Sequence, residues 1–354
     1  MIRKKVSELI GDEVLAKHIV SESGIELMVA GTKIKSDYIE KLNILGIEEV
    51  YVVEDINNNG NQNIELLQKV VKEDSKVIVK KIFEKNIYKN SSDISGLCEV
   101  ANGIIDNVLS DEEIMTRVTN IRQGKGDLYS HSLNVCALST ILALKSGFSK
   151  EVISDIAKGS ILHDLGLRNS TVPYENVEIK DLSEKEQKEY KKHVINGYDS
   201  IKDVDWLPEL SKNIVLLHHE RNNGNGYPFK NKGNTTSDAI KIVAVCDAFD
   251  SFLNGVGHCK HKVYETIEYL RHVSVGELDD TYVEMLLQMV ALYPVGTTVL
   301  TNEGEIGVVI KQNDKQIDRP ILRIIQDKDG NEVDNVIVDL MEKLTLFIVR
   351  VIEE

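Results

Sequence analysis

Histidine and aspartate are concentrated in five short segments in the middle of the chain. The chain has nine histidines, and five of them lie in these segments. Consecutive segments are 25 to 32 residues apart, which is about the length of one helix and its connecting loop. The seven side chains that could act together are His131, His163, Asp164, His193, His218, His219 and Asp247.

This set offers nitrogen and oxygen ligands but no thiolate, which favours iron(II), manganese(II) or another borderline metal over a structural zinc site. Asp164 lies close to the apolar Leu162 and Leu165. A carboxylate buried there needs a strong partner such as a metal ion, and its two oxygens can bind separate ions. In a two-metal site, a bound water becomes hydroxide near neutral pH and attacks phosphorus, while the ions stabilise the phosphoryl oxygens. The pattern therefore indicates hydrolysis of a phosphate ester.

A single histidine is more often a core or surface residue than a metal ligand. We interpret four histidines in that ordinary way, namely His18, His258, His261 and His272. The ordinary interpretation is much weaker where His163-Asp164 is followed by His218-His219-Glu220. For these segments we favour a metal site.

The chain is acidic, with a formal net charge of −15 at pH 7. Nucleic acids and anionic membranes bind basic surfaces, so neither DNA nor a membrane is expected as a partner. No apolar run approaches the roughly 20 residues of a membrane span, and the N-terminus lacks the apolar stretch of a signal peptide. The four cysteines show no zinc-knuckle spacing, and disulfides are not expected. We therefore expect a cytoplasmic location.

Three regions of the chain differ in pattern, which predicts a multidomain, mainly α protein. Residues 1–58 mix strand-like runs with a helix and predict a small α/β module with a regulatory or packing role. The polar, turn-rich stretch Ile56–Asn63 is the best candidate for a linker, with a structured turn as the alternative. Residues 59–292 show helical periodicity and predict a large all-α domain. Residues 293–354 change to strand patterns and predict a small β subdomain.

Local signals predict some individual elements. Ser183 followed by Glu186 forms a capping box, which predicts a helix that runs through His193. In the C-terminal region, pairs of strand-like runs flank turn residues and predict hairpins. These pairs are Thr298–Leu300 with Ile306–Ile310, and Ile321–Ile325 with Val336–Val338.

The His/Asp segments resemble those of the HD superfamily of metal phosphohydrolases, and more narrowly its HD-GYP branch. The narrower match rests on KKHVING at 191–197, HHERNNGNGYP at 218–228 and IVAVCDAFD at 242–250. The resemblance implies a helical HD-type bundle, here flanked by the small N-terminal α/β module and the small C-terminal β subdomain. It also implies two or three divalent ions, iron or manganese, held by the seven residues named above, with Asp164 catalytic. Asp127 would bind a third ion, or would simply be an exposed carboxylate at a helix start.

The sequence departs from the family pattern on the side of the substrate. Leu167 occupies the position of the lysine in the family's His-Asp-x-Gly-Lys, so Arg168 is the expected catalytic cation in its place. Asn223 replaces the aspartate before Gly-x-Gly-Tyr-Pro, and the stretch Asn169–Pro173 is longer than usual. The other substrate-binding residues expected are Arg221, Lys241, Gly226, Tyr227 and Pro228.

Three functions remain open from the sequence. The resemblance implies a phosphodiesterase that opens cyclic di-GMP to linear pGpG, or further to GMP. Leu167 and Asn223 motivate a second hypothesis, a catalytically weakened cyclic-dinucleotide receptor or adaptor. A third is an HD phosphohydrolase that acts on another nucleotide or a phosphate monoester. The expected partners are cyclic di-GMP or a related nucleotide, a signalling domain at the Gly-Tyr-Pro loop, and a second copy of the chain.

Overall fold

The computed structural model divides the chain into two compact units, residues 1–63 and 64–354. In the second unit the structure describes residues 73–89, 95–110, 127–231, 236–273, 275–313 and 316–352. In the first unit it describes residues 2–6, 9, 15, 19–20, 26–28, 34, 38–39, 41–42, 47 and 49–52. The predicted linker Ile56–Asn63 lies outside the described residues, and the boundaries predicted at residues 58 and 292 stay predictions.

The first unit contains two antiparallel strand pairs. Strand β1 (Ile2–Lys5) pairs with β4 (Glu49–Val52), and β2 (Ile19–Val20) pairs with β3 (Glu26–Met28). Strand β4 alternates between buried and exposed positions, because successive side chains of a strand point to opposite faces. Its buried valines pack in a small apolar core of this unit.

Helices dominate the second unit up to residue 287. They are α1 (Glu73–Lys89), α2 (Ser95–Ser110), α3 (Leu128–Lys145), α4 (Lys150–Leu162), α5 (Glu184–Lys191), α6 (His193–Ile201), α7 (Glu209–Leu217), α8 (Asp238–Asn254), α9 (Val263–Glu268) and α10 (Asp280–Leu287). Short 3-10 segments cover Leu165–Asn169 and Ile179–Asp181, and a π-helical turn covers Tyr269–Val273. Within the described ranges, no helix has the length and apolar character needed to cross a bilayer.

Helices α3 and α8 form the centre of this bundle. Both are apolar around most of their circumference, and most of their residues are buried, as expected for helices enclosed by others. Helix α3 packs against α4 and α8, and α4 also packs against α7. Their apolar side chains share one core. The prediction of a large helical domain is confirmed.

The helix predicted to run through His193 is interrupted. The capping box of Ser183 and Glu186 is present at the start of α5. The helix ends at Lys191, however, and α6 begins at His193, with Lys192 between them. The continuous helix was therefore a wrong prediction, because a capping signal fixes where a helix starts but not where it ends.

The C-terminal region forms a five-stranded antiparallel sheet in the order β8-β7-β6-β5-β9. The strands are β5 (Thr298–Thr301), β6 (Ile306–Lys311), β7 (Ile321–Gln326), β8 (Glu332–Asp339) and β9 (Ile348–Val351). Both predicted hairpins are present, as the pairs β5–β6 and β7–β8. One face of the sheet packs on its own apolar cluster, which includes Val299, Val309 and Leu322. The predicted mainly α fold class with a small C-terminal β subdomain is confirmed.

Candidate metal centre

The helical bundle brings the seven predicted residues to one place, and all of them except His219 are buried. His131 lies in α3, His163 and Asp164 follow α4, His193 begins α6, His218 and His219 follow α7, and Asp247 lies in α8. Most of these positions are helix ends. A helix end is the point where a side chain can turn toward the core while its backbone changes direction.

Asp164 stands between two groups of possible ligand atoms. Its Oδ1 atom is 3.3 Å from Nε2 of His193 and 3.7 Å from Nε2 of His218. Its Oδ2 atom is 3.5 Å from Nε2 of both His131 and His163. In each group the ligand atoms lie within 4.8 Å of one another, and His219 joins the first group. One carboxylate thus offers one oxygen to each group.

Asp247 also faces several of the histidines. Its Oδ1 atom is 3.3 Å from Nε2 of His131 and 3.6 Å from Nε2 of His163. Its Oδ2 atom is 3.6 Å from Nδ1 of His219, and the hydroxyl of Ser251 donates to Oδ1 at 3.0 Å. The arrangement places a second carboxylate across the centre.

Backbone carbonyls orient three of the histidine rings. Nδ1 of His163 donates to the carbonyl of Ser160 at 2.7 Å, and Nδ1 of His193 donates to the carbonyl of Tyr190 at 2.8 Å. His218 bonds in the same way to carbonyls one turn earlier in α7. Because a carbonyl only accepts hydrogen bonds, Nδ1 carries the proton in each ring. Nε2 then presents a lone pair toward the centre.

Several buried atoms at the centre lack a hydrogen-bond partner among the described residues. They are Oδ1 of Asp164, Nε2 of His193 and Nε2 of His218. In addition, Nε2 of His131 and Nε2 of His163 are only 3.0 Å apart. Buried acceptors that face one another are costly unless a proton or a cation lies among them. The donor set and its orphaned atoms therefore fit divalent metal ions.

The charges at the centre also suit a cation. Burial alone would raise the pKa values of Asp164 and Asp247, but the surrounding histidines outweigh it and hold both well below the usual range. Burial lowers the pKa of His193 to about 4. Burial and nearby histidines lower the pKa of His219 well below its usual value. These two rings are therefore neutral at pH 7, as a metal ligand must be.

Asp250 is a residue of the centre to which the sequence analysis gave no role. Its Oδ2 atom accepts from Nδ1 of His131 at 2.8 Å, and its Oδ1 atom accepts from the side-chain amides of Asn134 and Asn254. Burial opposes protonation of His131, but the three nearby carboxylates raise its pKa well above the usual value. Asp250 lies one helical turn after Asp247, but its contact with His131 joins distant segments, so no local pattern reveals it.

Gly166 allows the turn that carries Asp164 to pack against the start of α6. A Cβ atom at Gly166 would collide with the backbone carbonyl of His193 and would lie 2.8 Å from the backbone nitrogen of Gly197. Only a glycine permits this close approach. This contact holds Asp164 and His193, which come from the two segments, close together.

No cation reaches the centre from the position of the family lysine, because this position holds Leu167. The Leu167 side chain is buried in the apolar core, with 1% of its surface exposed. Nη2 of Arg168 lies 3.5 Å from the hydroxyl of Ser200 on α6, and burial lowers the pKa of the guanidinium. The structure thus directs Arg168 to α6.

Arg221 and Lys241 are engaged by the protein itself. Nη1 of Arg221 donates to two backbone carbonyls just after α7, each at 3.0 Å. The ammonium of Lys241 pairs with Asp238 at 3.0 Å and with Asp279 at 3.3 Å. Their predicted contact with substrate stays a prediction.

The Gly-Tyr-Pro loop, residues 226–228, covers one side of the centre. The ring of Tyr227 stacks on that of His219, with centroids 4.6 Å apart, and its backbone nitrogen donates to the carbonyl of His219 at 3.1 Å. A Cβ atom at Gly226 would collide with the backbone of Arg221, so the loop can lie this close only with glycine there. The bond between Tyr227 and Pro228 is cis.

A buried carboxylate fixes the continuation of this loop. Glu220 accepts from the backbone nitrogen of Phe229 at 2.6 Å and from that of Asn231 at 2.8 Å. The side chain of Phe229 itself is exposed. Glu220 therefore anchors the backbone that follows the Gly-Tyr-Pro loop, a role that the sequence did not reveal.

Asp127 is the N-cap of α3. Its Oδ1 atom accepts from the backbone nitrogen of Ser130 at 2.9 Å, and its Oδ2 atom pairs with the ammonium of Lys76. Of the ligand groups found in the described part of the chain, neither includes Asp127. Its role as a third-metal ligand stays a prediction.

Two family models match the chain. The model described as an HD domain matches residues 107–279, and that described as a KOW domain associated with the HD domain matches residues 298–354. The helical bundle and the C-terminal sheet correspond to these two matches. The chain is therefore an HD-domain protein with a KOW-type C-terminal domain.

Two similar curated proteins are named as cyclic di-GMP phosphodiesterases. The chain is 25% identical over 252 residues to the cyclic di-GMP phosphodiesterase PA4108 of Pseudomonas aeruginosa, over 71% of this chain and 60% of that protein. It is 32% identical over 117 residues to the cyclic di-GMP phosphodiesterase response regulator RpfG of Xanthomonas campestris, over 32% of this chain and 30% of that protein. The chain thus spans less than two thirds of either relative.

A solved structure supports the same fold. The HDG"Y"P protein Bd1817 of Bdellovibrio bacteriovorus matches with a TM-score of 0.53 and 18% identity, over 80% of this chain and 97% of that one. At this identity the likeness shows the fold alone, while the HD-domain match and the curated relatives support placing the chain in the HD-GYP family.

Proposed function

We propose that the chain is a metal-dependent phosphodiesterase that hydrolyses cyclic di-GMP to linear pGpG. The observation that carries the proposal is the pair of ligand groups that share Asp164. The relatives named as cyclic di-GMP phosphodiesterases support the choice of substrate.

Two ions, iron or manganese, would fit the two groups. Asp164, His193, His218 and His219 would hold one ion. Asp164, His131 and His163, with Asp247 beside them, would hold the other. A signalling domain bound at the Gly-Tyr-Pro loop and a homodimer stay predictions.

Two side chains, His219 and Tyr227, determine how substrate and water reach this centre. When bound, divalent ions would supply positive charge for the phosphoryl oxygens and acidify a water molecule. His219 is the most exposed of the seven, with 14% of its side chain accessible, so substrate reaches the centre from its side. The ring of Tyr227 lies against His219 and limits water there.

The direct test is to incubate protein loaded with iron or manganese with cyclic di-GMP and to identify the products by chromatography and mass spectrometry. We expect pGpG from the wild type and a loss of both metal and activity in His163→Ala. His272→Ala is the matched control, because His272 is exposed and pairs only with Glu268 among the described residues. No turnover with either metal would contradict the proposal.

One observation favours a second candidate, a receptor that binds the cyclic dinucleotide without cleaving it. The position of the family lysine is the buried Leu167, so no ammonium reaches the substrate from there. Leu167→Lys is a poor test, because it would bury a charge. Tight binding of cyclic di-GMP without any product would select the receptor, and turnover of another nucleotide or a monoester would select a different substrate.

A further inference from the structure

The three cations expected on the substrate side each contact other groups of the protein. Arg168 lies against Ser200, Arg221 donates to backbone carbonyls, and Lys241 pairs with two carboxylates. A phosphodiester carries a negative charge, and a cationic side chain beside the centre would favour its recognition by a chain of net charge −15.

Lys191 is a cation beside the centre that the sequence analysis did not assign. It is the exposed last residue of α5, and its Nζ atom lies 5.5 Å from the ring centroid of Tyr227. Tyr227 in turn stacks on His219, the ligand most open to solvent. The ammonium therefore stands at the side from which substrate arrives.

The neighbouring lysine behaves differently. Lys192 pairs with Glu189 at 2.8 Å, on the exposed surface of α5. Lys191 makes no ion pair with a carboxylate in the part of the chain that the structure describes. A cation over an aromatic face at an exposed site is held weakly, so its ammonium can move to a phosphate oxygen at little cost.

The backbone that carries Lys191 is fixed by the centre itself. Tyr190, the residue before it, is buried and accepts from Nδ1 of His193 through its carbonyl. The break between α5 and α6 lies directly after Lys191. The backbone is therefore fixed on both sides of Lys191, while its flexible side chain can extend toward a bound phosphate.

We propose that Lys191 binds the phosphoryl group of the substrate, donating a hydrogen bond from its ammonium to a non-bridging oxygen. This proposal rests on the proposed function, because it assumes a phosphodiester at the metal centre. Lys191 takes no part in bond breaking. It supplies the cationic contact that Leu167 does not.

The test compares Lys191→Met, which keeps a long side chain but removes the charge, with Lys192→Met as the matched control. Isothermal titration with inorganic phosphate measures binding to manganese-loaded protein, and turnover of cyclic di-GMP gives kcat/KM. We expect Lys191→Met to weaken phosphate binding and to lower kcat/KM by about 10- to 100-fold each, as for loss of a charge-assisted hydrogen bond. Lys191→Arg should keep most of both, and Lys192→Met should stay within about twofold of the wild type. Metal content should be equal in all four proteins.

The outcomes separate this proposal from the proposed function. Phosphate binding and kcat/KM unchanged in Lys191→Met would overturn the role of Lys191 and leave the phosphodiesterase intact. Weaker phosphate binding in Lys191→Met, together with no turnover of cyclic di-GMP by the wild type, would support Lys191 and overturn the phosphodiesterase. A wild type that binds no phosphate but turns over cyclic di-GMP would overturn the phosphate contact of Lys191 and leave the phosphodiesterase intact.

Discussion

Gly166 provides the sharpest test of how the bundle holds the centre together. In Gly166→Ala the new Cβ atom collides with the carbonyl of His193 and lies 2.8 Å from the nitrogen of Gly197. Both contacts are to backbone, which cannot rotate away as a side chain does. The 3-10 turn that follows Asp164 must therefore separate from α6.

Two opposing effects determine how much Gly166→Ala changes the free energy of unfolding. Overpacking of a dense site costs typically about 1–3 kcal/mol. Replacing glycine by alanine recovers at most about 1 kcal/mol through the unfolded chain. We therefore expect a net loss of about 1–2 kcal/mol in the free energy of unfolding. Metal affinity should fall as well, because Asp164 and His193 move apart.

Urea unfolding and metal titration of the metal-free protein measure the two effects. Gly103→Ala is the matched control, since Gly103 lies within α2 and its added Cβ would meet nothing within 4 Å. The control should be more stable than the wild type by about 0.5–1 kcal/mol, the usual gain within a helix. If Gly166→Ala matched this control in stability and metal affinity, the close packing of the turn against α6 would be refuted.

Three further predictions concern other parts of the centre. Asp250→Asn weakens the hydrogen bond to Nδ1 of His131, so it should lower metal affinity about 10- to 100-fold. Competition with a chelator measures this affinity, and an unchanged value would exclude a role of Asp250 in orienting His131. Glu220→Gln keeps only one oxygen acceptor for the backbone amides of Phe229 and Asn231, which follow the Gly-Tyr-Pro loop, so these amides should exchange hydrogen faster, and equal protection would argue against this anchor. Burial lowers the pKa of His193 from 6.5 to about 4, so the unfolded chain binds more protons between these values. The metal-free protein should therefore lose up to about 3 kcal/mol from this group as the pH falls from 6.5 to 4, as urea unfolding would show; a flat profile would contradict it.

Much of the fold and the clustering of the seven candidate residues could be predicted, because both depend on residue types and on spacing along the chain. His163-Asp164 and His218-His219 are adjacent pairs, and the helical period around them is regular. The hairpins of the C-terminal sheet follow local turn chemistry, which a sequence shows directly.

Other features of the site could not be predicted, because they depend on contacts between residues distant in sequence. The pairing of Lys241 with Asp279 and the hydrogen bond from His131 to Asp250 each join separate segments, so no local pattern reveals them. The break at Lys192 was missed for a different reason, since nothing in its sequence marks a helix end. The position of Lys191 over Tyr227 likewise appears only when the two segments are folded together.

The central claim is that the seven histidine and aspartate residues hold a two-metal centre. Elemental analysis of anaerobically purified protein tests it most directly, with His163→Ala beside the wild type and His272→Ala as the control. We predict about two or more iron or manganese ions per wild-type and control chain, and a clear loss in His163→Ala. Fewer than about two ions per wild-type chain, or equal content in all three proteins, would contradict the account.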